Sequence, residues 1–285
     1  MPKEEEELYR LEKAGIIRKV TKPTSWCAPM VPVLKKSGAV RLCVDLKRLN
    51  AAVRRERYIL PALEDLTSKL SGAQVYSSLD AASGFYQIPL QEDSQELTTF
   101  ITPFGRYCFC RLPFGISSAP EIFMRKMIET VGHLEGVFCY MDDILVYGRD
   151  MREHDRRLRQ VEECLAAAGL KLNPSKCVYR QKKLTFLGHS FSAEGVAPDE
   201  SKVAAIKGMP QPTNFEELRR FLGMVHYLAA YLPDRHSTTE PLNQLLRSES
   251  VWTWDVQQQV AFEKIKNMVT TAPVLSFYDV AKTTH

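Results

Sequence analysis

The sequence predicts an α+β fold in which strands and helices interleave as far as residue 198 and helices alone follow. Three observations carry that expectation. Runs rich in β-branched and aromatic residues recur in pairs across short turns, segments of helical period separate them, and the regular segments after Pro198 have helical spacing only. The chain has 285 residues, 45% hydrophobic and 25% charged, enough for about two folding units.

Pro2 to Ala14 reads as a helix, with Pro in its first turn, acids at its positive end and Gly15 as its stop. Met30–Leu34 and Val40–Val44 flank Lys35-Lys36-Ser37-Gly38 as a hairpin with lysines at its tip. A helix over Pro61–Leu70 precedes strand-like runs Val75–Leu79 and Phe85–Leu90, so Asp80 stands at a strand end before the small residues Ala81 to Gly84. Leu97–Ile101 and Arg106–Leu112 pair across Pro103-Phe104-Gly105. A helix from Ala119 to Thr130, the run Val137–Tyr147 broken by Asp142-Asp143, and a helix from Met151 to Ala168 closed by Gly169 follow. Strands Cys177–Tyr179 and Leu184–Phe191 end the mixed region. Helices are then expected over Asp199–Lys207, from a Thr213/Glu216 capping box to Pro233, over Glu240–Arg247 and over Asp255–Thr270.

Composition excludes several classes. Gly 14 and Pro 16 are too few for a collagen-like or disordered chain, and no apolar run approaches the ~18 residues of a membrane helix. Met1-Pro2-Lys3 followed by Glu4–Glu7 lacks the layout of a secretory signal, so an intracellular setting with no membrane partner is expected. The cysteines at 27, 43, 108, 110, 139, 164 and 177 form no CxxC pair and read as small buried hydrophobes. The net charge of +4 hides an uneven distribution. Twelve basic residues lie between Lys13 and Arg57 against Asp45 and Glu56 alone, a footprint suited to a polyanion or, equally, to a solvated basic surface.

The chemistry concentrates in the acids that interrupt apolar strands. An Asp-Asp pair at a hairpin tip is usually a plain turn. Here Asp142 and Asp143 split about ten strand-forming residues, where two adjacent carboxylates repel and are costly to desolvate unless a cation compensates. Strand neighbours point to opposite faces, so both can serve one site only from the bend itself. Asp80, at another strand end, supplies a third carboxylate. Three carboxylates on two strand tips are the layout of a two-metal phosphoryl or nucleotidyl transferase.

Tyr140-Met141-Asp142-Asp143 resembles the catalytic motif of reverse transcriptases, and Leu79-Asp80-Ala81-Ala82-Ser83-Gly84-Phe85-Tyr86-Gln87-Ile88 resembles their first aspartate motif. Arg41–Asn50, Leu112–Pro120 and Phe186-Leu187-Gly188-His189 agree in the same order. Glu217–Met224 and Trp252-Thr253-Trp254 are similar to the thumb and the following segment of gypsy-type LTR retrotransposon polyproteins.

The resemblance spans nearly the whole chain and implies a right-hand polymerase fold. Fingers would occupy 1–55 and 88–118, the palm 56–87 and 119–200, and a helical thumb 201–250. Residues 251–285 would begin a connection segment, with the chain ending before any RNase H cluster, so no RNase H activity is expected of it. The implied activity is RNA-directed DNA polymerisation by two Mg²⁺ ions, with Mn²⁺ as substitute. Asp80, Asp142, Asp143 and the Ala81 carbonyl would be their ligands.

Lys35 or Lys36, and Arg41, match the family positions that grip the triphosphate, although on pattern alone hairpin solubility is the favoured reading of all three. Phe85 matches the ring that excludes a 2′-hydroxyl, with packing in a strand core as its bland alternative; it also disfavours an RNA-directed RNA polymerase. Phe114 stands where retroviral enzymes carry a nucleotide-contacting glutamine and gypsy-type elements commonly carry Phe. Lys176 lies near the position where the family places a lysine implied to protonate pyrophosphate. Phe186, Leu187 and Gly188 correspond to a primer grip, and Tyr140, Met141, Arg219 and Arg220 to nucleic-acid contacts. The implied partners are dNTPs, an RNA or DNA template with its primer, and other parts of the parent polyprotein in a cytoplasmic virus-like particle. A catalytically inactive nucleic-acid-binding remnant is the competing reading.

Overall fold

The computed structural model describes residues 3–34, 38, 40–55, 58, 61, 63–82, 84–232, 235–247, 251–271 and 274–275. Lys35 and Lys36 therefore lie outside the described residues. In chain order the helices and strands are α1 (Lys3–Lys13), β1 (Ile17–Lys19), β2 (Ala28–Leu34), β3 (Val40–Val44), α2 (Lys47–Ala52), α3 (Leu63–Lys69), β4 (Val75–Asp80) and α4 (Glu92–Gln95). Then come β5 (Phe100–Thr102), β6 (Gly105–Phe109), α5 (Ala119–Val131), β7 (Val137–Tyr140), β8 (Asp143–Gly148), α6 (Met151–Ala167) and β9 (Val178–Gln181). The last are β10 (Lys183–Phe186), β11 (His189–Ser192), β12 (Gly195–Pro198), α7 (Glu200–Lys207), α8 (Phe215–Tyr227), α9 (Arg235–Leu245) and α10 (Val256–Thr270).

Two compact units divide the chain. The first comprises Met1–Ala62, Ser78–Val146 and Asp155–Val178; the second comprises Leu63–Ser77, Tyr147–His154 and Tyr179–His285. In the first, strands run in the order β1-β6-β5-β2-β3, antiparallel except for the parallel β2–β5 pair, in which Ala28 faces Phe100. Leu8 and Leu11 on the inner face of α1 bury against this sheet with Ile17, Phe100, Tyr107 and Phe109.

A second sheet has the order β7-β8-β4-β9. Its carboxylate-bearing ends, Ser78–Asp80 and Asp143–Val146, belong to the first unit. They rest on a core of Leu79, Ile144 and Val146 with Phe123, Met124 and Met127 of α5 and Val161 and Leu165 of α6. Strand residues buried this completely place the strand tips as the first points where a charged side chain reaches solvent.

The second unit carries the antiparallel sheet β10-β11-β12 and the helices from α7 onward. Leu218, Phe221, Val225 and Leu228 are buried, as the helical spacing requires, and Phe221 meets Phe262 of α10 at 4.7 Å between ring centroids. The Asp255/Gln258 capping box fixes the start of α10.

Several expectations are corrected. Phe85 does not begin a strand: Gly84–Gln87 is a single 3-10 turn. The polar Gln87 closes that turn, because its amide bonds the Ala82 and Lys171 carbonyls at 2.8 and 3.0 Å. Leu184–Phe191 is not one strand but the β10–β11 hairpin turning at Leu187-Gly188, with β12 as its unforeseen partner. The cap of α8 is Asn214, not Thr213. Its side chain accepts from the Glu217 N–H, and Glu217 reaches back to the Thr213 N–H and hydroxyl. α9 begins at Arg235, five residues before the expected Glu240. Cys108 and Cys139 are buried, whereas Cys27 is exposed, and all seven cysteines are free.

Candidate active site

Two tight structures meet at the acidic edge. β4 ends at Asp80, and β7 and β8 pair Tyr140 with Asp143 so that Met141-Asp142 forms a two-residue turn. The Ala81 N–H donates to the Asp142 carbonyl and the Asn173 N–H to the Asp80 carbonyl, each at 2.8 Å, which ties both tips to one edge. Asp142 occupies the bend and Asp143 opens β8, so strand alternation does not separate them.

Met141 adopts φ +53°, a left-handed conformation that costs an L side chain roughly 1 kcal/mol or more. Asp142 is only partly exposed, and its Oδ1 is buried with no hydrogen-bond partner. A Cβ at Gly84 would overlap that carboxylate, so the glycine is needed for the close approach of Asp142. From the sequence Gly84 reads only as one of the small residues that leave room for a ligand; its contact with Asp142 is visible only in the fold.

Burial raises the Asp142 pKa, reinforced by the charges of Asp143 and Asp80 and opposed by Lys176. Asp143 is raised in the same way, by burial first and then by Asp80. Lys176 Nζ sits 3.0 Å from Asp80 Oδ2, and this hydrogen bond and charge raise the Lys176 pKa. The turn Asn173–Lys176 presents the ammonium: the Lys176 N–H bonds the Asn173 carbonyl, and Ser175 bonds the Asn173 side chain.

Among the described residues no three His, Cys, Asp or Glu side chains are already gathered tightly enough to enclose a metal ion. The donor chemistry nevertheless suits a hard cation. Three carboxylates share one edge, two of them resist ionisation, and one holds an orphaned buried oxygen.

Beside this edge lies an aromatic floor. Phe85 packs on Phe114 at 4.9 Å and edge-on to Phe123 at 5.8 Å. The exposed Arg41 places its guanidinium 5.0 Å from the Phe114 ring centroid, a cation–π contact. Phe114 thus joins Arg41 to Phe85, a connection that motif spacing does not reveal. Gln87, read only as part of a motif, holds Lys171 through both ends of its amide; the signal available was a polar residue between Tyr86 and Ile88.

Residues 33–191 match the family model described as reverse transcriptase (RNA-dependent DNA polymerase). The chain belongs to the reverse transcriptase family. It is 35% identical over 272 residues to the transposon Tf2-3 and Tf2-4 polyproteins of Schizosaccharomyces pombe, which are gypsy-type LTR retrotransposon polyproteins. That match covers 95% of this chain and 20% of each relative, so the chain spans about a fifth of their length.

Among solved structures, foamy viral protease-reverse transcriptase in complex with double-stranded DNA superposes with a TM-score of 0.90 at 24% identity. That match covers 98% of this chain and 49% of that one. The same viral protein in complex with RNA/DNA hybrid gives 0.85 at 23% identity, over 96% and 37%. The fold is accordingly that of the reverse transcriptase polymerase region.

In the second unit, Phe186 is buried and Leu187-Gly188 forms the hairpin turn. Arg219 and Arg220 are exposed and line a cleft of about 400 Å³ with Lys202, Ile206, Met224 and Tyr227. Tyr140 and Met141 are both partly exposed beside Asp142. Among the described residues no helix is long and apolar enough to cross a membrane.

Proposed function

We propose that the chain is the polymerase segment of a retrotransposon polyprotein and extends a primer 3′-hydroxyl with dNTPs on an RNA or DNA template. The observation that carries this is Asp80, Asp142 and Asp143 on one edge, with Asp142 Oδ1 buried and unpartnered. In the reaction the primer 3′-hydroxyl gives up its proton to solvent, its oxygen bonds to the α-phosphorus, the bond from that phosphorus to its β-bridging oxygen breaks, and pyrophosphate departs. Two Mg²⁺ ions, or Mn²⁺, held by the three aspartates and the Ala81 carbonyl would supply Lewis-acid activation of the hydroxyl and neutralise the triphosphate.

The chain's own residues supply the rest. Arg41, steadied on Phe114, meets triphosphate charge, assisted by Lys35 and Lys36. Phe85 presents a flat ring to the sugar and leaves no room for a 2′-hydroxyl. Lys176 Nζ keeps its proton, because Asp80 raises its pKa, and is the donor available to the leaving pyrophosphate. Tyr140, Met141, Arg219 and Arg220 contact the nucleic acid, and Phe186, Leu187 and Gly188 hold the primer end. A cytoplasmic virus-like particle built with other parts of the polyprotein is the expected setting.

Primer extension on an RNA template with Mg²⁺ tests this. Asp142→Asn is expected to lower the rate by about a thousandfold, the several kcal/mol that metal-ion stabilisation supplies. Equal extension by both proteins would overturn the mechanism. Duplex binding with no extension by either would identify a binding remnant.

A further inference from the structure

The β10–β11 turn is built against its own sequence. Phe186 pairs with His189, leaving Leu187 at φ +49° and Gly188 at φ +74°, the two positive values that a type I′ turn demands. Asn or Gly suits the first position; Leu pays roughly 1 kcal/mol or more there. A turn held in this form needs an outside restraint, and α8 provides it. The Tyr227 hydroxyl donates to the Leu187 carbonyl at 2.6 Å. A Cβ at Gly188 would overlap that same hydroxyl, so the turn and the phenol are shaped to each other.

The restraint is itself anchored. The Tyr227 ring stacks on His189 at 5.6 Å between centroids and 21° between planes. Buried His189 Nδ1 lies 2.7 Å from the hydroxyl of buried Tyr231. Tyr227 itself remains 47% exposed, on the face of α8 that carries Arg219, Arg220 and the Lys202-lined cleft.

We propose that Tyr227 is a positioning residue that clamps the Leu187-Gly188 turn into a rigid ledge for the sugar-phosphate backbone at the primer terminus. The proposal rests on the polymerase reading above. Without the clamp the turn samples other conformations, and duplex affinity falls in proportion to the competent fraction. The ring's stacking survives removal of the hydroxyl alone, so Tyr227→Phe isolates the hydrogen bond.

The test measures KM for primer–template, KM for dNTP and kcat in wild type, Tyr227→Phe, Gly188→Ala and the double variant. Duplex dissociation constants by fluorescence anisotropy accompany them. Tyr227→Phe is expected to raise the primer–template KM and the duplex Kd about fivefold, within what one neutral hydrogen bond supplies, with kcat and the dNTP KM unchanged. Gly188→Ala is expected to be worse, and Tyr227→Phe to relieve it in part, because the double variant removes the clashing oxygen. Wild-type primer–template KM and Kd in Tyr227→Phe, or strict additivity in the double variant, would overturn the clamp. Should wild type fail to extend primers, the polymerase reading falls, while the anisotropy comparison still decides the clamp.

Discussion

The turns Met141-Asp142 and Leu187-Gly188 make a natural comparison. Both are two-residue hairpin tips, and both put a large unbranched-at-Cβ side chain at positive φ where turn chemistry favours Gly or Asn. Their second residues differ. In the first turn it is Asp142, whose carboxylate presses into space left by Gly84; in the second it is Gly188, which makes space for the hydroxyl of Tyr227. One turn is strained to place a charge and the other to place a backbone. In each the glycine marks where another residue must come close, which shows that a glycine's partner can lie far away in sequence.

The sharpest way to break this comparison is Gly84→Ala. Its added methyl meets the Asp142 carboxylate, so it should cost about 1–3 kcal/mol in chemical denaturation and reduce extension nearly as far as Asp142→Asn. Normal extension would show that Asp142 does not need its place. Phe85→Val, on the aromatic floor next to the first turn, should raise ribonucleotide incorporation relative to dNTPs by about tenfold, read by competitive extension. Leu187→Asn should relieve the second turn and stabilise the protein by about 1 kcal/mol in urea titration.

The smallest effect concerns pH, measured by thermal melting with a chelator present. Asp142 and Asp143 have raised pKa values, so the native state holds protons that the unfolded state has released. Their contribution to stability is therefore fully retained below the ordinary aspartate value of 3.8 and declines as pH climbs through the raised native values. Asp142→Asn should flatten that decline and melt a few degrees higher at neutral pH.

Much of this was legible in the chain itself. Asp80 and the Asp142-Asp143 pair stand out because charge interrupts strands that are otherwise apolar, and burial of Leu79, Ile144 and Val146 explains why. The 3-10 turn at Phe85 was not legible: hydrophobic alternation fits a strand equally well, and what decides the conformation is the long-range bonding of Gln87 to Lys171. Nor could spacing reveal that Arg41 rests on Phe114, since that contact joins residues far apart in the chain. The α8 cap shifted by one residue because Asn214 and Thr213 both suit the role and only backbone geometry chooses between them.

The ion pair between Lys176 and Asp80 has a consequence for how the protein matures. An edge of three carboxylates would ordinarily repel itself open while the chain folds. Here a lysine from the turn after α6 brings a positive charge that travels with the polypeptide and offsets part of that repulsion before any ion binds. The ammonium is 64% exposed at its side chain and joined by a bond worth at most about 1 kcal/mol, so it is as easily dislodged as it is readily recruited. It serves as a resident escort for the acidic edge, one weak enough to step aside.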